Sequence, residues 1–388
     1  MSLKMALRAR AIEPFHVMRI LAQARELEAQ GRSIIHMEIG EPDFPSPDPV
    51  IEAGKQALDK KLTHYTTANG LPELRQAIAD QYHPGSNLHA DRILVTPGSS
   101  GALQLVMAML LNSGDGIMLA DPGYPCNRHI ASLFNAEIQA VAVDESTDYQ
   151  LTAELVEKHW QRNTKVVLIA SPSNPTGTLI SNEQLSAIYH LVEEKEGALV
   201  VDEIYHGLVY DEKPDSALNT GEQVFVINSF SKYYGMTGWR VGWLVVPEDF
   251  IEVANRLAQN MFLAAPTMSQ YAALAALGQE TDEELTRRRD VFNERRDMLL
   301  PLIETAGFKV RTKPAGAFYI YADCSEFSND SMALCDALLQ QAGVAITPGA
   351  DFGSHKSNVH VRFSYANTIE NLQEGMRRIQ KWISDNPR

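Results

Sequence analysis

Cysteine, long apolar runs and positive charge are all scarce in this sequence of 388 residues. Its three cysteines, Cys126, Cys324 and Cys335, form no C-x-x-C pair, which argues against a zinc site or a disulfide framework. No apolar run approaches the length of a membrane span and no secretory h-region opens the chain, so we expect a cytoplasmic protein that binds no membrane. With 34 Lys and Arg against 49 Asp and Glu, the net charge of −15 disfavours binding to nucleic acid.

Short, continuous apolar runs alternate with helical patterns through the middle of the chain. Such runs are typical of strands buried on both faces, and helices between them suit the crossovers of a mainly parallel sheet. The runs lie at 93–95, 117–119, 166–169, 199–201, 224–227 and 241–246. One helical pattern places Leu103, Val106 and Leu110 three and four residues apart, and it ends at turn-forming residues 112–116.

The pattern changes after about residue 280. A charged stretch at 283–290 predicts a long helix, whose arginines we expect on a solvated face with intrahelical ion pairs. Strand-like segments at 318–321 and 359–363, and a last helix that Asn367 and Glu370 would cap, predict a smaller α+β domain. We therefore expect a large domain at 49–282 and a small domain at 283–388, which the N-terminal segment 1–48 joins.

Polar motifs follow most of the strand-like runs directly. They occupy 96–101, 121–125, 171–177, 202–205 and 229–232. Open α/β sheets bind ligands at the carboxyl ends of their strands, so these motifs should converge on one site. The last motif contains Lys232, which lies among small hydroxyls and glycines with Arg240 eight residues further on. This setting suits an amine that bonds to an aldehyde beside a bound phosphate, although taken alone it also fits a solvated lysine.

Together these motifs resemble the fold-type I pyridoxal-phosphate enzymes, specifically the class I/II aminotransferases, over nearly the whole chain. The resemblance implies an α/β fold: a mainly parallel sheet with helices on both faces, plus a smaller α+β domain. It implies pyridoxal 5′-phosphate (PLP) as the cofactor and no metal. Lys232 would form the Schiff base and carry a proton between the substrate α-carbon and the cofactor. Asp202 would keep the ring nitrogen protonated, and Tyr205 would bond the phenolic oxygen of the ring.

The resemblance also assigns the other cofactor contacts. The phosphate ligands would be Gly98, Ser99, Ser100, Ser229, Ser231, Arg240 and, from the neighbouring subunit, Tyr65. The first three would open a helix after a strand, where backbone N–H groups and the helix dipole favour an anion. Tyr124 would stack on the ring, and Asn174 would be the second partner of its phenolic oxygen. A tyrosine that crosses between subunits implies a homodimer with shared active sites.

The substrate α-carboxylate would bind to Arg362, whose planar fork pairs two oxygens at once. Asn174 and Gly40 would lie beside it, where a side chain at position 40 would crowd the substrate. One departure concerns specificity: some aspartate-specific relatives carry a lysine where this chain has Ser100, and others use an arginine of the partner subunit for which we place no counterpart. The segment 262–267 is largely apolar, and Phe15 would suit an apolar side chain. Neutral, aromatic or sulfur-containing amino acids are therefore at least as good candidates as dicarboxylates.

Three functions remain open at this point. The leading hypothesis is an amino-acid:2-oxo-acid aminotransferase that works by ping-pong half-reactions. A PLP-dependent carbon–sulfur β-lyase is the alternative, because the shared motifs describe the cofactor better than the fate of the carbanion. A cofactor-sensing DNA-binding regulator is disfavoured, since few residues precede Gly40 and the charge is wrong for DNA.

Overall fold

The computed structural model describes residues 4–82, 88–211 and 214–387. Its strands, in chain order, are β1 Ile35–His36, β2 Ile93–Thr96, β3 Gly116–Asp121, β4 Glu137–Ala142, β5 Thr164–Ala170, β6 Ala198–Asp202, β7 Val224–Ser229, β8 Gly242–Val245, β9 Tyr319–Asp323, β10 Val344–Ala345, β11 Thr347–Pro348 and β12 His360–Ser364. Its α-helices are α1 Leu7–Ala11, α2 His16–Ala29, α3 Asp48–Asp59, α4 Pro72–Tyr82, α5 Gly98–Leu110, α6 Pro125–Leu133, α7 Ala153–His159, α8 Asn182–Glu194, α9 Ile251–Met261, α10 Thr267–Ala276, α11 Gln279–Thr305, α12 Ser331–Ala337 and α13 Ile369–Asp385. Within the described ranges, every helix is too short or too polar to cross a membrane.

Seven strands form the central sheet, in the order β2-β8-β7-β6-β5-β3-β4. Strand β8 runs antiparallel to β2 and β7, and the other neighbours pair in parallel. All six apolar runs of the sequence lie in this sheet. The predicted mainly parallel sheet is therefore confirmed.

Both faces of this sheet are buried, because successive side chains along each strand point to opposite sides. In β5, Val167 and Ile169 belong to one apolar cluster, whereas Val166 and Leu168 belong to another. Burial of each such side chain stabilises the fold by roughly 1.5–3 kcal/mol. The helix α5 packs against the second face through residues that include Leu103, as its spacing predicted. Two-sided burial explains why these strands read as continuous apolar runs.

A further apolar core joins the two ends of the chain. The strands β11, β12 and β9 form an antiparallel sheet, and β1 pairs in parallel with β10 through Ile35 and Val344. Ile20 of α2, Phe292 of α11 and Met376 of α13 are all buried in this core. The N-terminal segment thus packs with the C-terminal part, and the central sheet lies between them in sequence.

Predictions from local sequence patterns were wrong, incomplete or missing at three places. Strand β4 was not predicted, because it lies at the sheet edge and alternates exposed with buried residues instead of forming an apolar run. The last helix is capped by Thr368, whose hydroxyl accepts from the Asn371 N–H, and not by Asn367. Arg288 on α11 pairs with Glu284 as expected, but it is buried and also donates to the Pro45 carbonyl. That contact is non-local and could not be read from the charge pattern.

Candidate active site

Lys232 lies just beyond the carboxyl end of β7, and its amine is partly buried. Its Nζ donates to the Gly40 carbonyl at 2.5 Å and lies 5.9 Å from the ring centroids of both Tyr205 and Phe318. Burial lowers the pKa of Lys232 to about 8, because an apolar setting disfavours the charged amine. A sizeable fraction of this amine is therefore neutral and nucleophilic near pH 8.

Asp202 and Tyr205 occupy the end of the next strand, β6. The Asp202 carboxylate accepts from the Ile204 N–H at 3.1 Å, and burial raises its pKa to about 6 while the charge of Lys232 opposes that rise. The Tyr205 hydroxyl shares a hydrogen bond of 2.8 Å with the hydroxyl of Tyr319 on β9. Two parallel strands and the C-terminal part thus bring a carboxylate, a phenol and an amine together.

An anion cradle forms where α5 begins. Gly98 has φ +69° at the start of this helix, and Ser99 and Ser100 are partly exposed in its first turn. A Cβ at Gly98 would lie 2.6 Å from Nη2 of Arg240, so the absence of a side chain lets the guanidinium approach the helix end. Arg240 is itself exposed and donates to the Thr237 carbonyl at 3.1 Å. N–H groups, hydroxyls and a guanidinium at a helix N-terminus favour a phosphate.

Two serines at the carboxyl end of β7 complete the cradle. The Ser229 hydroxyl donates to Ser231 Oγ at 2.9 Å and also lies 3.0 Å from the Val241 carbonyl. Ser229 pairs with Gly242 in the sheet, and a Cβ on Gly242 would lie 2.8 Å from the Ser99 nitrogen. The serines therefore lie next to the first turn of α5, as the phosphate assignment requires.

Arg362 on β12 is only 3% exposed, and its contacts hold the guanidinium in one orientation. Its Nη1 donates to Asn174 Oδ1 at 2.8 Å and its Nη2 to the Glu38 carbonyl at 2.7 Å, and the guanidinium carbon lies 4.1 Å from the Tyr319 ring centroid. Within the described part of the chain, its Nε has no hydrogen-bond partner although it is buried. A buried guanidinium with a free donor is a receptor for an oxyanion.

Gly40 lies beside Tyr319, whose ring packs against the guanidinium of Arg362. A Cβ at this position would be 2.6 Å from the Tyr319 hydroxyl oxygen. Tyr124 is partly exposed beyond the end of β3, and its ring meets that of Phe15 edge-on with a centroid distance of 6.3 Å. Burial raises the pKa of Tyr124 well above its ordinary value, so its phenol stays neutral. All but one of the predicted site residues therefore lie together at one edge of the central sheet.

The exception is Tyr65, whose side chain is 81% exposed. Its loop is tied to α10, because the Thr267 hydroxyl donates to the His64 carbonyl at 2.7 Å. Tyr65 thus stands on the outer surface of this chain and contributes nothing to the cluster around Lys232.

PLP fits the residues that are present. The cradle at Gly98 offers donors to a dianion, Asp202 offers an acceptor, and the free Nε of Arg362 marks a separate carboxylate receptor. In the described ranges, no cluster of three or more His, Cys, Asp or Glu is suited to a metal ion. These groups suit an organic phosphate that also carries a basic nitrogen.

Sequence reasoning missed two side chains of this site, Tyr319 and Thr347. Tyr319 contacts Tyr205, Gly40 and Arg362, and Thr347 lies 3.3 Å from Arg362 Nη2. The run 318–321 was predicted as a strand, but its partners come from segments far away in sequence. No local pattern says which of its tyrosines faces the site.

The chain matches the family model "Aminotransferase class I and II" over residues 32–379. It is 38% identical to (5-formylfuran-3-yl)methyl phosphate transaminase of Methanocaldococcus jannaschii, over 96% of this chain and 97% of that protein. It is 37% identical to valine–pyruvate aminotransferase of Mycobacterium tuberculosis, over 98% of both chains. The crystal structure of an aminotransferase from Mycobacterium tuberculosis superimposes with a TM-score of 0.95 at 37% identity, over 99% of this chain and 100% of that one.

The relatives named here are all transaminases, which favours amino-group transfer over the β-lyase alternative. The family match spans most of the chain, and the fold agrees with a solved aminotransferase throughout. This chain therefore belongs to the class I and II aminotransferases, PLP-dependent enzymes of fold type I that act on amino-acid and keto-acid substrates.

Proposed function

We propose that Lys232 is the catalytic amine of a homodimeric amino-acid:2-oxo-acid aminotransferase. The observation that carries this assignment is the position of its Nζ, which donates to the Gly40 carbonyl and lies close enough to Glu41, Arg362, Arg240 and Asp202 for their charges to act on it. Its depressed pKa lets the amine act both as a nucleophile and as a base near neutral pH.

The neighbouring groups would hold the cofactor in a fixed orientation. The phosphate ligands are Gly98, Ser99, Ser100, Ser229, Ser231 and Arg240. Asp202 would bind the ring nitrogen, Tyr205 and Asn174 would bind the phenolic oxygen, and Tyr124 would cover one face of the ring. When bound, PLP supplies an aldehyde that takes up the amino group and a ring that withdraws electrons from the α-carbon.

Arg362 and Asn174 would hold the substrate α-carboxylate, and the unpaired Nε of Arg362 adds one more donor. The absence of a side chain at Gly40 leaves room for this carboxylate beside Tyr319. With the carboxylate fixed, Lys232 can take the proton from the α-carbon of the amino donor. Lys232 would pass this proton to the cofactor, and in the second half-reaction it would carry a proton from the cofactor to the α-carbon of the former 2-oxo acid.

A second copy of the chain would complete the site. Tyr65 is exposed together with Leu58, Met261 and Leu263, which are 55%, 37% and 53% exposed. We infer that a partner subunit covers this surface and that Tyr65 reaches the phosphate bound there. We also place the boundaries of the large domain at 49 and 282, since the core that joins the chain ends is built mostly outside that range.

Chemical trapping tests the assignment of Lys232. Borohydride added to the holoenzyme should reduce the bond between cofactor and lysine, and peptide mapping should find the label on the peptide that contains Lys232. In a parallel experiment, an amino donor without any keto acid should convert the absorbance of the aldehyde form to that of the pyridoxamine form. A label on another lysine would refute the catalytic role, and a spectrum unmoved by every amino acid would refute transamination.

A further inference from the structure

A cavity of about 680 Å³ lies beside the cofactor site. Its walls include Tyr124, Asn174 and Phe352, and Leu168 and Ile169 of β5 are among its apolar lining residues. A volume of this size is that of a small-molecule site and exceeds what the side chain of alanine or valine needs. The cavity therefore has room for a substrate group of some length.

This cavity begins at the carboxylate receptor. Asn174 lines it and also accepts a hydrogen bond from Arg362. Phe352 lines it as well, and its ring centroid lies 4.9 Å from the guanidinium carbon of Arg362. A substrate whose α-carboxylate is bound by Arg362 would thus have its side chain next to this opening.

Arg128 supplies a positive charge at the cavity wall. It follows Tyr124 by four residues on α6, and its Nη2 donates to the Asp351 carbonyl at 3.1 Å. Among the described residues, no carboxylate lies within ion-pair distance of Arg128, so its remaining N–H groups are free to bind a ligand. A partly buried guanidinium without a counter-ion favours an anionic partner.

Other polar groups of the wall bear on the charge of that ligand. Asn127 is buried, and its Oδ1 has no hydrogen-bond partner in the ranges described. The Asp121 carboxylate already accepts from the backbone N–H groups of Ser354 and His355. Glu13 lies at the exposed rim. Among the described residues that line the cavity, Arg128 is therefore the only lysine or arginine.

We propose that Arg128, with Asn127 beside it, binds the carboxylate at the end of an acidic substrate side chain. This inference rests on the proposed function, since it needs the α-carboxylate to bind at Arg362. Both guanidinium groups contact neighbouring residues, Asp351 and Phe352, so they flank the same short stretch of backbone. The sequence motifs pointed only to position 100 and to the partner subunit as sources of a cation for a dicarboxylate. Arg128 supplies one from within the same chain.

The test compares isosteric amino-acid donors in the single-turnover conversion of the PLP form to the pyridoxamine form. The wild-type holoenzyme should prefer glutamate over glutamine, and aspartate over asparagine, in the rate constant divided by the donor dissociation constant. Arg128→Gln should lower each preference about 10- to 100-fold, because a charge-assisted hydrogen bond is lost. Arg128→Lys should retain part of it, since the charge remains and the fork does not. Arg287→Gln, an exposed arginine on α11, is the matched control and should keep the wild-type ratio.

Each ratio is measured within one variant, so a loss of folded protein cancels. An unchanged ratio in Arg128→Gln, or a wild type that prefers glutamine, would overturn the inference while leaving transamination intact. Glu13→Gln removes a negative charge at the cavity rim and should not lower the ratio. An equal fall in this variant would show that the ratio does not report a contact with Arg128, and would also overturn the inference. If no amino-acid donor converts the PLP form of the wild type to the pyridoxamine form, the proposed function itself fails.

Discussion

Replacement of Gly98 by alanine should weaken cofactor binding, whereas the same replacement at Gly114 should weaken only the fold. Gly98 has φ +69°, and an added Cβ would lie 2.6 Å from Nη2 of Arg240. The guanidinium must then move away from the start of α5. Gly114 offers a matched comparison, since it has φ +89° and an added Cβ would meet no atom of the described residues within 4 Å.

Two separate free energies follow from this geometry. Both alanine variants must adopt a left-handed backbone, which costs an L-residue about 1–2 kcal/mol in the free energy of unfolding. Only Gly98→Ala also displaces Arg240, and a charge-assisted hydrogen bond to a phosphate contributes about 1.5–3 kcal/mol. The dissociation constant of PLP should therefore rise by about 10- to 100-fold in Gly98→Ala alone.

Urea unfolding of the apoenzymes and absorbance titration with PLP measure these two quantities independently. Arg240→Gln provides the double-mutant cycle: the variant with both changes should bind PLP about as weakly as Arg240→Gln alone, because both changes remove the same contact. Equal PLP affinity in Gly98→Ala and Gly114→Ala would refute the cradle. So would fully additive losses in the cycle.

Three further outcomes are expected. Lys232→Ala should still hold PLP without a covalent bond but lose turnover by several orders of magnitude, as steady-state assays of the purified variant would show. Because the pKa of Lys232 is about 8 and only the neutral amine reacts, the rate at which apoenzyme captures PLP should rise with pH and level off above about 8, in stopped-flow absorbance; a rate that falls with pH would contradict the assignment. Asp351→Ala should lower the free energy of unfolding by about 1–2 kcal/mol in urea, because the Asp351 carboxylate accepts from the N–H groups of His16 and Val17 at the start of α2.

Much of the site was predictable because residues that directly follow parallel strands in the sequence lie at the same edge of the sheet. Asp202 ends β6 and Lys232 follows β7, and these strands are neighbours, so their side chains must meet. Gly98 opens α5 after β2, which β8 connects to β7. The continuous apolar runs fixed these strands, and the polar residues after them fixed the edge.

Other contacts depend on packing between distant parts of the chain. Tyr319 reaches Tyr205 because β9 pairs with β12 and both pack beside the sheet. Arg128 gives no local signal of a ligand-binding role, since an arginine on a short helix most often faces solvent. Its lack of a carboxylate partner among the described residues became visible only once the cavity was formed.

The sequence by itself determined the alternation of strands and helices, because burial on two faces and turn chemistry are local properties, and its motifs indicated the family whose cofactor-binding groups we propose here. Tertiary structure alone decided which tyrosine supports Tyr205, that Tyr65 points away from its own site, and that Arg128 faces a cavity next to Arg362. These are relations between segments up to several hundred residues apart. They are set by how the core that joins the chain ends packs against the central sheet, and no periodicity along the chain encodes them.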